Sequence, residues 1–423
     1  MPFISIRRIP LYFKKLSLRV SLHDMTLLPF VMIFFLVLFN TMSLSELEMP
    51  LLSYGTLVMV ILSFLFMLTL VVREHEMSQY GFLHFMFLFI LIAITVINVN
   101  DIRNAIYNSI GIWLMLLIMR YYRGRMSMVL KCFAIAFSFA IYVNFIHILT
   151  HPMLWIIDDD KFATGYLLGN NYNQMGCRMI VALSTNVLCL RYSRLWLVNF
   201  IVMAVVIMAS LLIVGSMTSV SMISLFLVFC LIPSARLRKI GIYSLFTVFV
   251  LFQVFVVFNG RGLENNELAS YIVEDVLKKD LTFTNRTHMW ESALKIISQS
   301  PIWGWGLADP DWYKSNMTAF AIGPHNFILS ILIHGGVILM SIYLMICWKV
   351  YKTIRPFLAD KTMQLLLFSV VCLWFMSLME MYPYAIMFCA LALLYYYPYY
   401  RRELPSADNE TDDNRCKKIP TSR

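Results

Sequence analysis

The side chains best suited to chemistry collect in one polar segment, residues 259–324, of an otherwise strongly apolar chain. Within it, Arg286 follows Thr284 and Asn285, either of which suits a helix N-cap, so Arg286 is predicted in the first turn of a helix. A guanidinium beside the free backbone amides of a helix start favours binding of an anion such as phosphate. The alternative is a solvated or surface-paired arginine, but the neighbouring TNR and PIWGWG residues favour the functional interpretation.

His325 stands where the polar segment meets the next apolar run. A histidine there can titrate near neutral pH and act as a proton acceptor or as a donor to a phosphate oxygen, and a histidine bonded to backbone is an equal alternative. Glu380, at the outer end of a later apolar run, could orient His325 or serve as the base itself, although simple exposure at the helix end is slightly favoured. His334 lies about half a rotation from His325 around the same helix and is interpreted as a packing residue.

A second candidate region lies at the start of an earlier apolar run. Arg178 is predicted about one turn inside this run, and Gln174 precedes it by one turn on the same face. The run opens with GNNYNQ, residues 169–174, which includes Asn173. Ionisable groups at membrane depth tend to face a cavity or a partner, so this amide-rich start could line a sugar- or phosphate-binding cavity. Snorkelling of Arg178 to the outer headgroups is an equal alternative.

The polar segment is predicted to contain two short amphipathic helices on or near the membrane face, the second ended by Pro301. Their apolar positions recur at helical spacing and are Leu268, Tyr271, Ile272 and Val276, then Trp290, Ala293, Leu294 and Ile297. Four aromatic residues follow, namely Trp303, Trp305, Trp312 and Tyr313. Such aromatics either lie at headgroup level, which is commoner, or stack on sugar rings.

Composition predicts the elements that must position these residues. Hydrophobic residues make up 60% of the chain, charged residues 14%, and mean hydropathy is +0.73, whereas soluble domains carry about 25% charged residues. The apolar runs are long and unbroken, and backbone in lipid must be satisfied within each segment, so they are predicted to be helices. The expected fold is an all-α polytopic membrane protein with about 12 transmembrane helices. Their predicted ranges are 25–44, 51–72, 80–98, 102–119, 127–149, 173–190, 195–214, 218–233, 240–258, 325–348, 363–380 and 384–399.

Basic residues predict the orientation of these spans. Clusters of Lys and Arg fall at the termini and in alternate connections, which places both termini in the cytoplasm and residues 259–324 outside. The formal net charge of +10 then reflects orientation and anionic headgroups rather than nucleic-acid binding. The sequence indicates no removable signal peptide, disulfide, metal-binding string or nucleotide-binding string, so neither a metal nor a cofactor is expected.

Four regions follow from this topology. Residues 1–258 form an N-terminal bundle of about nine transmembrane helices, and residues 259–324 form a large extracytoplasmic loop. Residues 325–399 form the C-terminal transmembrane helices. Residues 400–423 are polar and low in aromatics, which predicts a disordered cytoplasmic tail.

The order of these motifs resembles the O-antigen ligase/polymerase superfamily of bacterial envelope polysaccharide enzymes. The resemblance is carried by Arg286, Trp290, Ala293, Leu294, Ile297, Pro301, Gly304, Gly306, His325, Asn326 and the HGG of residues 334–336. GNNYNQ resembles an asparagine-rich start of a helix in that family, and IVGSMTSVS, residues 213–221, resembles its serine-rich pair of helices. Many members have Ser-Arg-Gly where this chain has Ser-Met-Thr-Ser, so Arg178 is the candidate to replace that arginine.

The resemblance implies a metal-independent membrane glycosyltransferase with a GT-C-like bundle in the bacterial cytoplasmic (inner) membrane. Its donor would be an oligosaccharide on undecaprenyl pyrophosphate at the outer face of that membrane. The leading expectation is polymerisation of repeat units into O-antigen, capsular polysaccharide or exopolysaccharide. The alternative is an O-antigen ligase that transfers glycan to lipid A core or protein, and a flippase or other transporter is less favoured. A flippase and a chain-length regulator would be protein partners.

The resemblance also implies roles for individual residues. Arg286, with Arg178, would hold the diphosphate, His325 would take the acceptor proton, and Glu380 would position the imidazole. The other expected substrate-binding residues are Asn173, Gln174, Trp290, Trp305 and Asn326.

Overall fold

The computed structural model describes residues 27–42, 50–73, 78–151, 166–169, 172–259, 286–318 and 321–403. Regular structure in these residues is helical apart from an isolated antiparallel bridge between Tyr166 and Gly169. The α-helices are α1 (Leu27–Thr41), α2 (Pro50–Arg73), α3 (Gln79–Ile97), α4 (Ile102–Tyr121), α5 (Met126–Thr150), α6 (Met175–Cys189), α7 (Arg194–Ile213), α8 (Met217–Leu231), α9 (Ala235–Phe252), α10 (Arg286–Gln299), α11 (Pro310–Asn316), α12 (Phe327–Ile354), α13 (Lys361–Met376), α14 (Tyr384–Tyr395) and α15 (Tyr397–Arg402). A π-helical turn, Gln253–Val257, extends α9. The first predicted amphipathic helix, Thr284, Asn285 and the predicted tail beyond residue 403 lie outside the described residues.

The described helices support a membrane-embedded, all-helical protein. Seven helical segments in this part of the chain are long and apolar enough to cross a membrane, namely Pro50–Val71, Gln79–Ile97, Ile102–Tyr121, Arg123–Thr150, Arg194–Ile213, Ala235–Val257 and Phe327–Phe357. Four shorter apolar helices, α1, α6, α8 and α13, coincide with four further predicted spans. The last predicted span is divided between α14 and α15, which begins at Tyr397 with Pro398 in its first turn. The count of twelve membrane crossings therefore stays a prediction.

Helix α6 lies at the centre of the bundle, since every residue from Met175 to Cys189 is buried. It contacts α5, α7, α13 and α14. Helices α2, α7 and α9 instead leave most of their apolar side chains exposed or only partly buried, as expected of helices that face lipid. A charged residue on α6 is consequently buried within the protein.

The second predicted amphipathic helix is confirmed as α10, which begins at Arg286 and ends at Gln299, shortly before Pro301. Its buried residues recur every third position and are Thr287, Trp290, Ala293 and Ile296. Positions three apart share one face of a helix, and this face packs with Leu329 and Ile333 of α12. The helix that carries Arg286 is therefore fixed against the bundle beside the first turns of α12.

Helix α12 is interrupted at residues 335–336, where both glycines have non-helical backbone angles. The interruption leaves the carbonyls of residues 333–334 and the amides of residues 337–338 without helical partners. The backbone of residues 301–306, here named the PIWGWG segment, supplies replacements. Its hydrogen bonds join Trp305 N to Ile333 O (2.7 Å), Gly306 N to His334 O (3.0 Å), Val337 N to Pro301 O (2.9 Å) and Ile338 N to Ile302 O (3.4 Å). The PIWGWG and HGG motifs thus form one structural unit.

Replacement of Gly336 by alanine is expected to lower the thermal midpoint of the purified protein in detergent. Gly336 has a φ of +56° and a ψ of −153°, a region that is nearly restricted to glycine, where another residue costs about 1–3 kcal/mol. A Cβ there would also collide with the carbonyl oxygens of Ile302 and Pro301. Gly55→Ala in α2 is the matched control, because a Cβ at Gly55 meets nothing within 4 Å. Equal midpoints for the two variants would contradict this account of the PIWGWG segment.

Candidate active site

A short stretch of non-helical backbone, Ser377–Pro383, joins α13 to α14 and forms the centre of the candidate site; we name it the 377–383 turn. Its carbonyl oxygens accept hydrogen bonds from three segments that are distant in sequence. These bonds run from Phe327 N to Ser377 O (3.0 Å), from Asn326 Nδ2 to Leu378 O (3.2 Å), from Arg286 Nε to Met379 O (3.0 Å) and from Gln174 Nε2 to Met381 O (3.3 Å). One turn therefore brings together the starts of α6, α10 and α12.

His325 and Glu380 contact each other at this turn, with Nδ1 of the histidine 3.2 Å from Oε1 of the carboxylate. Their side chains are 15% and 5% exposed, so the pair is shielded while the imidazole remains reachable. Glu380 Oε1 also accepts a hydrogen bond from Met381 N at 3.2 Å. Among the described residues nothing bonds to Nε2 of His325. With Nδ1 held by the carboxylate, a neutral imidazole presents Nε2 as a proton acceptor.

The expectation that Glu380 is exposed at a helix end is wrong, because the residue is only 4% exposed. Only seven residues connect α13 to α14, and this short connection keeps the turn within the bundle. Tyr382, which follows closely, is buried as well. Glu380 is thus a buried carboxylate whose Oε2 makes no hydrogen bond within the described part of the chain.

The backbone of His325 has a φ of +45°, in the left-handed region that residues other than glycine rarely adopt. Asn326, directly after it, is the N-cap of α12, and its Oδ1 accepts from Leu329 N at 3.0 Å. The amide of Asn326 also donates to Gln253 Oε1 at 2.9 Å, in the π-helical turn that extends α9. A fully buried cap therefore holds the unusual conformation in which the imidazole meets Glu380, and such strain clusters at functional sites.

Tyr382 is a residue of the site that the sequence analysis missed. Burial, and then Cys177 and Glu380, raise the pKa of its phenol well above the ordinary value, while Arg178 and Arg286 oppose the rise. The phenol therefore stays protonated and lies within electrostatic range of both guanidinium groups. The sequence feature that could have identified Tyr382 is its position two residues after Glu380, in Met-Tyr-Pro.

Arg178 is buried, and its Nη1 donates to Gln174 O at 3.0 Å. The snorkelling alternative is wrong, because α6 is enclosed and the guanidinium stays within the protein. The side chain instead lines a cavity of about 400 Å³ with residues of α1, α2 and α4. Asn173, at the start of the same segment, accepts a hydrogen bond from Ser216 Oγ at 3.4 Å. The amide-rich start of α6 thus connects this cavity to the 377–383 turn.

Three other residues expected to bind substrate are part of the scaffold. Trp290 and Asn326 are completely buried, the first under α10 and the second as the cap of α12. Trp305 is half-buried, and its Nε1 donates to Ile296 O at 3.2 Å. Trp303, by contrast, is 60% exposed, as an aromatic at headgroup level would be. We therefore leave Trp290, Asn326 and Trp305 out of the proposed binding surface.

His334 is buried, as its interpretation as a packing residue requires. The sequence did not indicate its partners, which are Tyr313 OH at 2.9 Å from Nε2 and Tyr384 OH at 2.7 Å from Nδ1. Both ring nitrogens are thus occupied. This distinguishes His334 from His325, which has an open nitrogen at the edge of the site.

Comparison with protein families identifies the segment that carries much of this geometry. Residues 179–344 match the family described as O-antigen ligase. This segment belongs to the O-antigen ligase/polymerase superfamily. The superfamily match includes Arg286, His325 and the unit formed by the PIWGWG and HGG motifs, and it ends before the 377–383 turn. No curated protein and no solved structure matches the chain.

Proposed function

We propose that the protein is a polysaccharide polymerase that joins oligosaccharide repeat units carried on undecaprenyl pyrophosphate. Its product would be O-antigen, capsular polysaccharide or exopolysaccharide. The proposal rests on the His325–Glu380 pair beside Arg286 on one turn, in a chain with an O-antigen ligase match. A base with an open nitrogen and a cation held nearby are the groups that displacement of a diphosphate needs. The second candidate is a ligase that transfers glycan to lipid A core or protein by the same chemistry.

In the proposed reaction, a hydroxyl oxygen of the acceptor sugar bonds to the anomeric carbon of the donor. The bond between that carbon and the pyrophosphate oxygen breaks, and undecaprenyl pyrophosphate leaves with its electron pair. The hydroxyl proton passes to Nε2 of His325, and Glu380 stabilises the imidazolium through Nδ1. Arg286 stabilises the negative charge that develops on the leaving group. The protein supplies these charges itself, so we propose a transfer that needs no metal ion.

We also propose that both termini are cytoplasmic and that the site faces the outside of the cytoplasmic membrane, as the distribution of Lys and Arg favours. The 377–383 turn and the starts of α4, α6 and α12 would then lie at one outer face. A flippase would deliver the lipid-linked donor to that face, and a chain-length regulator would act on the growing product.

Incubation of the purified protein in nanodiscs with a lipid-linked repeat unit tests the proposed function. We expect a ladder of products spaced by one repeat unit, without added ATP, because the donor diphosphate carries the energy for transfer. A protein that only transports lipid-linked glycan would form no new glycosidic bond, and that result would overturn the proposal.

A deletion strain separates the two candidate functions. Loss of a polymerase should leave single repeat units attached to the lipid A core. Loss of a ligase should instead cause long lipid-linked chains to accumulate, and that result would assign the protein to the second candidate.

A further inference from the structure

The cavity beside Arg178 is not used by the proposed transfer step. It lies between the end of α1, the starts of α2 and α4, and the starts of α6 and α14, all outside the segment that matches the superfamily. Its volume of about 400 Å³ falls in the range of small-molecule sites, about 300–1,000 Å³. The cavity therefore has room for a short saccharide.

The lining of this cavity combines amide, hydroxyl and aromatic side chains. Asn40, Asn104 and Asn108 contribute amides, which can donate and accept hydrogen bonds, and Nδ2 of Asn108 already donates to Oδ1 of Asn104 at 3.1 Å. Tyr54 and Tyr107 add phenol rings, each with an apolar face and a polar tip. Convergent groups that both donate and accept match the hydroxyls of a sugar, while the rings match its C–H faces.

Two buried polar atoms of the lining have no hydrogen-bond partner within the described part of the chain, namely Nε of Arg178 and Oγ1 of Thr56. Arg178 is 7% exposed and Thr56 is 1% exposed, so bulk solvent does not compensate them. A buried guanidinium nitrogen without a partner is costly. Both residues line the same cavity, so the guanidinium group of Arg178 and the side chain of Thr56 lie at its wall.

Both charged side chains that line the cavity, among the described residues, are basic. Arg103 and Arg178 both contribute, and no acidic side chain of the described residues lines the cavity. Arg103 lies with its guanidinium carbon 5.3 Å from the centre of the Tyr107 ring, at the mouth of the cavity. Asp101, the N-cap of α4, is near Arg103 but is not part of the lining. The positive charge of these two guanidinium groups favours an anionic ligand over a neutral one.

We propose that this cavity binds an acidic sugar residue, one that carries a carboxylate, of the lipid-linked repeat unit or growing chain. The identity of this ligand rests on the proposed function. The carboxylate pairs with the guanidinium group of Arg178, and the sugar hydroxyls bond to the amides. Pro383 and Ala385 border the cavity, so the bound sugar lies beside the 377–383 turn that carries Glu380.

Binding measurements on the full-length protein in detergent test this proposal without requiring turnover. Isothermal titration calorimetry gives the dissociation constants of galacturonate and glucuronate disaccharides, of their neutral counterparts and of inorganic pyrophosphate. We expect at least one acidic disaccharide to bind about tenfold more tightly than its neutral counterpart, because a buried charge-assisted hydrogen bond is lost in the latter. Arg178→Gln should remove that preference, whereas Arg194→Gln, at an exposed position on α7, should keep it.

Three results would overturn the assignment. The first is equal binding of acidic and neutral disaccharides, or no binding of either, and the second is an Arg178→Gln variant that keeps the preference and elutes as a single folded species. In the third, pyrophosphate displaces the acidic disaccharide in an Arg178-dependent manner, which would show that the cavity binds the diphosphate.

The His325→Ala variant separates this proposal from the proposed function. It should bind the acidic disaccharide normally while lacking transfer. Retained transfer by His325→Ala with Arg178-dependent binding would refute the proposed role of His325 and leave the cavity assignment intact.

Discussion

Loss of glycan transfer is the expected result of replacing His325 by alanine, while the protein still inserts into the membrane. Removal of a general base costs about 10²–10⁴-fold in rate, and Nε2 of His325 is the open nitrogen of the pair with Glu380. Conversion of the lipid-linked repeat unit by the purified variant in nanodiscs gives the rate, and gel filtration verifies the folded state. Normal polymer in a strain that carries His325→Ala would rule out the assigned role.

Two further variants separate the chemistry of His325 from its backbone conformation. Asparagine tolerates a left-handed backbone, so His325→Asn keeps the chain path at a φ of +45° but lacks a base, and it should be as inactive as the alanine variant. Glu380→Gln retains a side chain that can bond to Nδ1 but loses the charge that stabilises an imidazolium. We expect a smaller loss in kcat with little change in KM. Full activity of His325→Asn would show that the imidazole has no catalytic role.

A comparable loss is expected for Arg286→Ala, because this variant removes a preorganised cation where charge develops on the diphosphate. Loss of one such donor costs about 10²–10³-fold in rate. Arg286→Lys keeps the charge but not the planar fork, whose Nε is fixed by Met379 O at 3.0 Å, so it should recover only part of the activity. The measurement is single-turnover conversion of the lipid-linked donor at saturating acceptor.

Lys295→Ala provides the matched control for Arg286, since it removes a cation from the same helix. The Lys295 side chain is 72% exposed and pairs with Glu291 one turn earlier, far from the 377–383 turn along α10. Surface pairs of this kind contribute little, about 0–1 kcal/mol, so activity should be unchanged. If Lys295→Ala and Arg286→Ala reduced the rate equally, general destabilisation of α10 would explain the loss.

Local patterns predicted the elements of the fold well. The helical spacing of Trp290 and Ala293, together with Pro301, gave α10 with its buried face. Unbroken apolar runs likewise coincide with the helices of the bundle, because backbone in lipid leaves helix formation as the main solution. The exception is the last run, which forms two short helices separated at Tyr396.

Hydrogen bonds to backbone atoms could not be predicted from the residue types. The backbone carbonyls of the 377–383 turn accept hydrogen bonds from the side chains of Arg286, Asn326 and Gln174. Because every residue type has such a carbonyl, the sequence of the turn does not reveal these contacts. The burial of Glu380 depends on this same turn, so its exposure at a helix end was the wrong expectation. The hydrogen bond from Trp305 Nε1 to Ile296 O is a further backbone contact that no motif reveals.

The interruption of α12 determines how such proteins can be recombined. The PIWGWG segment gives α12 two amide donors and two carbonyl acceptors, so this segment is a structural part of the bundle. Without that segment, four backbone groups would be unpaired at membrane depth, each at a cost of several kcal/mol. A chimera that exchanges only residues 259–324 between related proteins would have to re-form this pairing with a foreign α12. Altered substrate preference should therefore be sought by transferring residues 286–354 as a single block.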